Sequence, residues 1–192
     1  TIEQAQANQA ALGAFKETYN AMPGDMANAA TSIPSCGNCA PYTVDVGTGT
    51  AGDGIVGPNN WDMFTFKSAS YSGAATTVDN ETVLYWVQMA RAGIIKGITD
   101  DGISGVTEQF SGSLPKADVG GGFIVGNANP AICNAFSGAC GPYVMPLGYY
   151  SMVGTVLILA ISPATLPINT FGAYVLSPAS ASDIDRKSDD GN

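Results

Sequence analysis

Apolar residues recur along the start of the chain at a three-and-four spacing: Ile2, Ala5, Leu12, Phe15, Tyr19 and Met22, with Gln9 as the gap. Glu3, Gln6, Asn8, Lys16 and Glu17 fall mostly on other faces. Residues 1–19 hold no Pro, a single Gly, and much Ala, Gln, Glu and Lys, which lose little on entering a helix. The pattern predicts an amphipathic helix. Pro23 lacks an amide donor and pushes Met22 out of the α region, so the helix is expected to end near Asn20–Ala21. Gly24-Asp25 then turns the chain, with Asp25 as the expected cap of a short turn over residues 26–30. Taken alone, this is an ordinary surface helix of a globular domain.

A second helix is predicted over residues 81–92. Asp79 or Asn80 is the expected N-cap, Glu81 suits the first turn, and Gly93 suits the C′ position with Arg91 and Lys96 nearby. Val83, Leu84, Trp86, Val87 and Ala90 make a broad apolar stripe, which assigns this helix to the core. Residues 31–73 are irregular, with two weak strands at 42–46 and 61–67. Further strands are expected at 122–125, 143–145, 149–162 and 171–176. Ser177-Pro178 reads as an N-cap with Pro at N1, opening a short helix to about residue 187 and an acidic tail. No internal repeat is visible.

Composition narrows the class. A chain of 192 residues suits a single domain with a sizeable core. Charged residues are only 12%, against roughly 25% in an average soluble domain. With 24 Gly and 11 Pro, the body is expected to be loop-rich and β-containing. The net charge is −9, and the seven basic residues are scattered, so neither nucleic acid nor an anionic membrane surface is an expected partner. There is no histidine, which removes Ser-His-Asp and Cys-His constellations and the commonest metal ligand. The most apolar run, residues 152–161, is too short to span a bilayer, which takes roughly 20 residues. Residues 119–182 contain no Asp, Glu, Lys or Arg, as expected of a buried sheet or of a surface that packs on other copies.

Four cysteines fall as two local pairs, Cys36 with Cys39 and Cys133 with Cys140. An even count in a low-charge, loop-rich chain points to disulfides in an oxidising compartment. Local pairing comes first because turn residues flank each pair, and crossed pairing stays open. Redox catalysis by Cys-x-x-Cys needs a thiolate at a helix N-terminus, whereas Pro34, Gly37 and Pro41 surround this motif with loop signals. A four-cysteine zinc site is disfavoured by the Cys-x6-Cys spacing. Residues 48–62 offer Asp53, Asn59, Asn60 and Asp62 as oxygen ligands for calcium, although the EF-hand spacing is absent and a solvated turn explains the stretch more simply. The letters GTGTAG lack the following helix that a dinucleotide site requires, since Pro58 opposes it. Asp100, Asp101, Asp183, Asp185, Asp189 and Asp190 supply acidic pairs, but acidic turns and helix ends account for them without a glycosidase-type cleft. No active site is expected, and no cofactor other than calcium.

Several segments together resemble the type IV pilin and pseudopilin family, in its group of prepilin-type cleavage/methylation proteins. Residues 15–26, FKETYNAMPGDM, resemble that group's F…YN-x-x-PGD helix end. Gly52-Asp53-Gly54-Ile55 resembles its Gly/Asp-rich loop. ETVLYWVQMARAGII at residues 81–95 resembles its E…W…L…AGLI helix, and IDRKSDDG at residues 184–191 resembles its ID-x-K-x-DDG ending. Residues 98–176 carry no part of the resemblance.

The resemblance implies an α+β, pilin-like fold: a long N-terminal helix packed on an antiparallel sheet, with loop-rich insertions and a second short helix. Residues 1–192 form one domain in this reading, with 1–21 as the C-terminal half of a spine helix and 22–192 as the head. Ile2, Leu12, Phe15 and Tyr19 then face the protein's own sheet. The resemblance also implies an upstream hydrophobic segment, cleaved by a prepilin peptidase and N-methylated, that anchors the subunit in the inner membrane and later packs in the filament core. The expected function is structural rather than enzymatic. The chain is read as a pilin or pseudopilin of a bacterial type IV pilus-like or type II secretion filament. Its partners are copies of itself or related pilins, and the soluble part alone is expected to be a monomer. The expected location is the cell surface, by way of the periplasmic side of the inner membrane. The alternative is a minor pilus-tip or adhesin-like surface-binding module, with an acidic-pair hydrolase a distant third.

Overall fold

A computed structural model describes residues 2–36, 39, 51–54, 56, 81–99, 110–112, 114–128, 154–160, 177, 179 and 181–183. In chain order the elements are helices α1 (Ile2–Tyr19), α2 (Ala29–Ser32) and α3 (Glu81–Arg91), then strands β1 (Gly122–Ala128) and β2 (Gly154–Ala160). The expected strands at 42–46, 61–67, 143–145 and 171–176 lie outside the described residues. Residues 179 and 181–183 are helical and exposed, and the Ala181 N–H donates to the Ser177 carbonyl at 2.9 Å.

Helix α1 stops because Asn20 adopts φ 51 while its N–H still donates to the Lys16 carbonyl at 2.8 Å. Asparagine tolerates this left-handed position better than most residues, and Pro23 follows three residues on. The inward face of α1 carries Ala11 and Phe15, both buried, with Leu12 and Tyr19 half-buried against the same core. The Phe15 and Tyr19 rings lie 4.7 Å apart, one turn apart on the helix. Ile2 is half-buried. Asn8, assigned to an outer face by its polarity, is also half-buried, as is Gln4. The Gln4 side chain explains its own placement: its Nε2 donates to the Lys116 carbonyl at 3.4 Å, and its Oε1 accepts the Asp118 N–H at 3.2 Å.

Helix α3 is more deeply buried than an amphipathic stripe would require. Every residue from Val83 to Met89 is buried, Gln88 included. A helix enclosed on all sides is a core element rather than a surface one, and α3 touches both α1 and β1. Trp86, Leu84, Met89, Phe15, Leu114 and Ile124 are the largest of the fully buried apolar side chains. Tyr85 packs edge-on against Trp86, ring centroids 4.9 Å apart, and burial pushes its phenol up to about 12. Gly93, at φ 74, ends the helix and donates its N–H to the Ala90 carbonyl at 2.9 Å.

Strands β1 and β2 pair antiparallel, with Gly122 opposite Ala160 and Ala128 opposite Gly154. Strand β1 runs beyond the expected residues 122–125, and β2 lies within the expected 149–162. Phe123, Ile124 and Val125 are all buried, so β1 is covered on both faces over these residues. Across from Val125, Leu157 of β2 is 37% exposed.

Candidate functional site

The segment after α1 does more than turn the chain. Pro23, Gly24, Asp25 and Met26 are all buried, an unusual density for a helix-to-loop connection. Gly24 sits at φ +89 and lies directly on the first turns of α3. A Cβ built there would stand 2.3 Å from the Glu81 carbonyl oxygen and 3.0 Å from the Tyr85 nitrogen. Only glycine allows both the backbone angle and the approach.

From α3, the fully buried Gln88 completes the contact. Its Oε1 accepts the Gly24 N–H at 2.6 Å, and its Nε2 donates to the Cys39 carbonyl at 2.8 Å. One amide thus satisfies two backbone groups from segments 15 residues apart, which is how a polar side chain is tolerated at the centre of the core. Cys36 and Cys39 are both buried, with Cα atoms 5.3 Å apart, within disulfide range, and the Cys39 N–H donates to the Cys36 carbonyl at 2.8 Å.

Asp25 faces a second loop. Its Oδ1 accepts the N–H groups of Gly52 at 2.5 Å and Asp53 at 3.2 Å, and its Oδ2 accepts that of Gly54 at 2.7 Å. Gly52 and Gly54 have φ +93 and +87, so successive amides turn toward one anion. Asp25 is only 3% exposed. Burial pushes its carboxyl above the ordinary value and the Asp53 charge adds to this. The amides of Gly52, Gly54 and Asp53 pull the other way without cancelling it. Asp25 was expected to cap residues 26–30; instead its carboxylate is committed across the chain to 52–54. The short helix α2 starts at Ala29, after Asn28, which makes no side-chain capping bond.

An open cleft of about 500 Å³ lies beside this clasp, bordered by Lys16, Asn20, Asn28 and Asp25. Both Asp25 oxygens already accept backbone hydrogen bonds. The arrangement is therefore suited to fixing the geometry of the junction rather than to moving protons.

Of the calcium candidates, Asp53 is exposed and contributes its N–H to Asp25, while Asn59, Asn60 and Asp62 lie outside the described residues. Among the described residues no group of three or more acidic or cysteine side chains is placed to hold a metal. Cys133 and Cys140 lie outside the described residues, as do Asp100, Asp101, Asp185, Asp189 and Asp190. Asp183 is exposed. The residue that sequence reading passed over is Gln88. Its signal was a lone amide inside the apolar run of a core helix, where a polar side chain needs dedicated partners. No helix among the described residues is long and apolar enough to cross a membrane.

The chain matches no protein-family model, no curated protein and no solved structure.

Proposed function

We propose that the chain is a structural subunit, a pilin or pseudopilin, of a type IV pilus-like or type II secretion filament. One observation carries this reading. Three segments that resemble the family, far apart in sequence, meet at one junction: Pro23-Gly24-Asp25, Gly52-Asp53-Gly54 and α3. Residues shared with a family as separate motifs acquire a common physical reason when they bond to one another.

The mechanism follows from that junction. A filament subunit carries axial load between its helix and its head. In this chain the end of α1 is tied to the head by the Gly24 contact on α3, the Gln88 bridge and the Asp25 clasp, each at a buried position. Copies of the same chain or of related pilins would be its partners, displayed at the cell surface.

The test is immunogold electron microscopy of the source cells with an antibody raised against this chain, alongside deletion of its gene. Label along the whole filament, and loss of filaments on deletion, is the expected result. Label restricted to tips, with filaments surviving deletion, would replace this reading with that of a tip adhesin. Filaments that carry no label and persist would refute both.

A further inference from the structure

Lys96 and Lys116 are two of only seven basic residues in a chain with sixteen acidic ones. Both border one open cleft of about 580 Å³, shared with Asn8 and Ala11 of α1, Ser111 and Phe123. The backbone of Lys116 is held against α1 by Gln4, which bonds the Lys116 carbonyl and the Asp118 N–H. Among the described residues neither lysine is ion-paired with a carboxylate, the neighbouring Asp118 included. Ser111 holds φ 77, a backbone angle that a non-glycine residue keeps only under constraint from its surroundings. In so acidic a chain, two cations on one cleft with no carboxylate partner among the described residues stand out.

We propose that this cleft is a contact between copies of the chain, in which Lys96 and Lys116 receive carboxylates exposed on a second copy. The inference rests on the filament reading and names a surface for it. Copies that each carry −9 repel one another, so assembly needs a local patch of opposite sign. The cleft supplies that patch, and Glu3 and Glu17, exposed on α1, are carboxylates that a neighbour offers. Exposed ion pairs are individually weak. Their role here is to steer the encounter and fix register, and repetition along a filament multiplies their effect.

Carbodiimide cross-linking of the purified chain tests the contact, because this reagent joins lysine to carboxylate only at ion-pair range. Heavy-isotope-labelled and unlabelled chains are mixed at high concentration, cross-linked and digested, and the linked peptides are read by mass spectrometry. The expected result is mixed heavy–light peptides containing Lys96 or Lys116, several-fold more abundant than those containing the exposed Lys16. Their yield should fall at about 0.5 M salt, where screening shortens to a few ångströms. Only single-isotope links at these lysines, or a yield no greater than that of Lys16, overturns the proposal. Filaments that the antibody labels, in the absence of mixed links, sink the contact and leave the filament reading standing. Mixed links in a chain whose antibody labels no filament do the reverse.

Discussion

Replacing Gly24 by Ala isolates the close approach of the first helix's end to α3. Two residues provide internal references. Gly97 has the same φ, +89, but a Cβ there meets nothing within 4 Å. Gly97→Ala therefore carries only the left-handed backbone penalty, about 1–2 kcal/mol. Gly13 lies within α1, again with open space around a built Cβ, so Gly13→Ala should stabilise by about 0.5–1 kcal/mol. Gly24→Ala carries the backbone penalty of Gly97 and one of two further costs. The new methyl stands 2.3 Å from the Glu81 carbonyl oxygen, an overpacking of about 1–3 kcal/mol. Relief by shifting the turn breaks the 2.6 Å bond to Gln88 and leaves a buried amide group unpaired, about 1–3 kcal/mol. Because shifting the turn relieves the overpacking, one of these two costs adds to the backbone penalty, and the sum is about 2–5 kcal/mol, a large share of the roughly 5–15 kcal/mol that holds a typical domain together. Urea unfolding followed by far-UV circular dichroism reads it. With a denaturant slope of about 2 kcal/mol/M, the midpoint falls by about 1–2.5 M for Gly24→Ala and by about 0.5–1 M for Gly97→Ala. If the two variants unfold at the same midpoint, the contact with α3 places no constraint on Gly24 and the argument for the junction fails.

Three further variants examine the same junction. Asp25→Ala removes the acceptor of three backbone amides and should cost about 2–3 kcal/mol in the same urea assay; a loss below about 0.5 kcal/mol would show that water replaces the carboxylate fully. The pH dependence has a definite sign. Because burial raises the Asp25 carboxyl when folded, the proton-linked part of its contribution is full below the ordinary value of 3.8 and is lost as pH rises through the folded value, so the stability of wild type relative to Asp25→Asn should decline over that interval and then level off. A rise there would mean that the three amide bonds outweigh burial. Gln88→Met keeps the volume but strands the Gly24 N–H and the Cys39 carbonyl, an expected loss of about 2–4 kcal/mol by thermal or urea unfolding, and an unchanged midpoint would remove the amide from the account. Replacing Cys36 and Cys39 together by Ser tests whether the two are covalently linked. Closing so short a loop is worth about 2 kcal/mol, so oxidised wild type should exceed the double variant by that amount and lose the excess in reductant.

The helices were legible for different reasons. In α1 the evidence was negative as much as periodic: no interior Pro, strong helix formers, and a stop at Asn20 three residues before Pro23. Asn8 was assigned to an outer face yet is half-buried, and Gln4 went unread, because polarity alone cannot distinguish a side chain facing water from one, like Gln4, bonded to a turn more than a hundred residues away. Helix α3 was readable as core, yet its burial on every side was not, since the apolar stripe that marks a half-buried helix also occurs within a fully enclosed one. The local part of the site was equally plain. A Pro-Gly-Asp run announces a turn, and a Gly-Asp-Gly run announces amides free to adopt positive φ. What the sequence withheld was the partnership. Asp25 had a cap position available a few residues on, and local capping is the default for an aspartate after a turn. Its burial reverses that choice, because a carboxylate removed from water needs several donors at once, and the 52–54 loop presents three where a single cap presents one or two.

Gln88 connects these observations into a single mechanical argument. An apolar side chain at that position would fill the core as well, and the fold would lose the one group that recognises both the Gly24 amide and the Cys39 carbonyl. Hydrophobic packing is non-directional, so α1 could slide along α3 by small amounts with little change in buried area. Directional bonds in a low-dielectric interior remove that freedom, because each displaced partner is left unpaired where water cannot reach it. The Gly24 contact sets how closely the turn approaches α3, the Gln88 bridge sets its register along the helix, and the Asp25 clasp orients the 52–54 loop against it. Losing any one leaves the other two, so the single variants should each loosen the junction without unfolding the chain. Combining Gln88→Met with Asp25→Ala should then cost more than the sum of the two singles, because the Gly24-Asp25 turn would lose both of its directional anchors. Strict additivity of the two in urea unfolding would mean that the bridge and the clasp act as separate repairs to separate loops, and that the junction is not the unit argued for here.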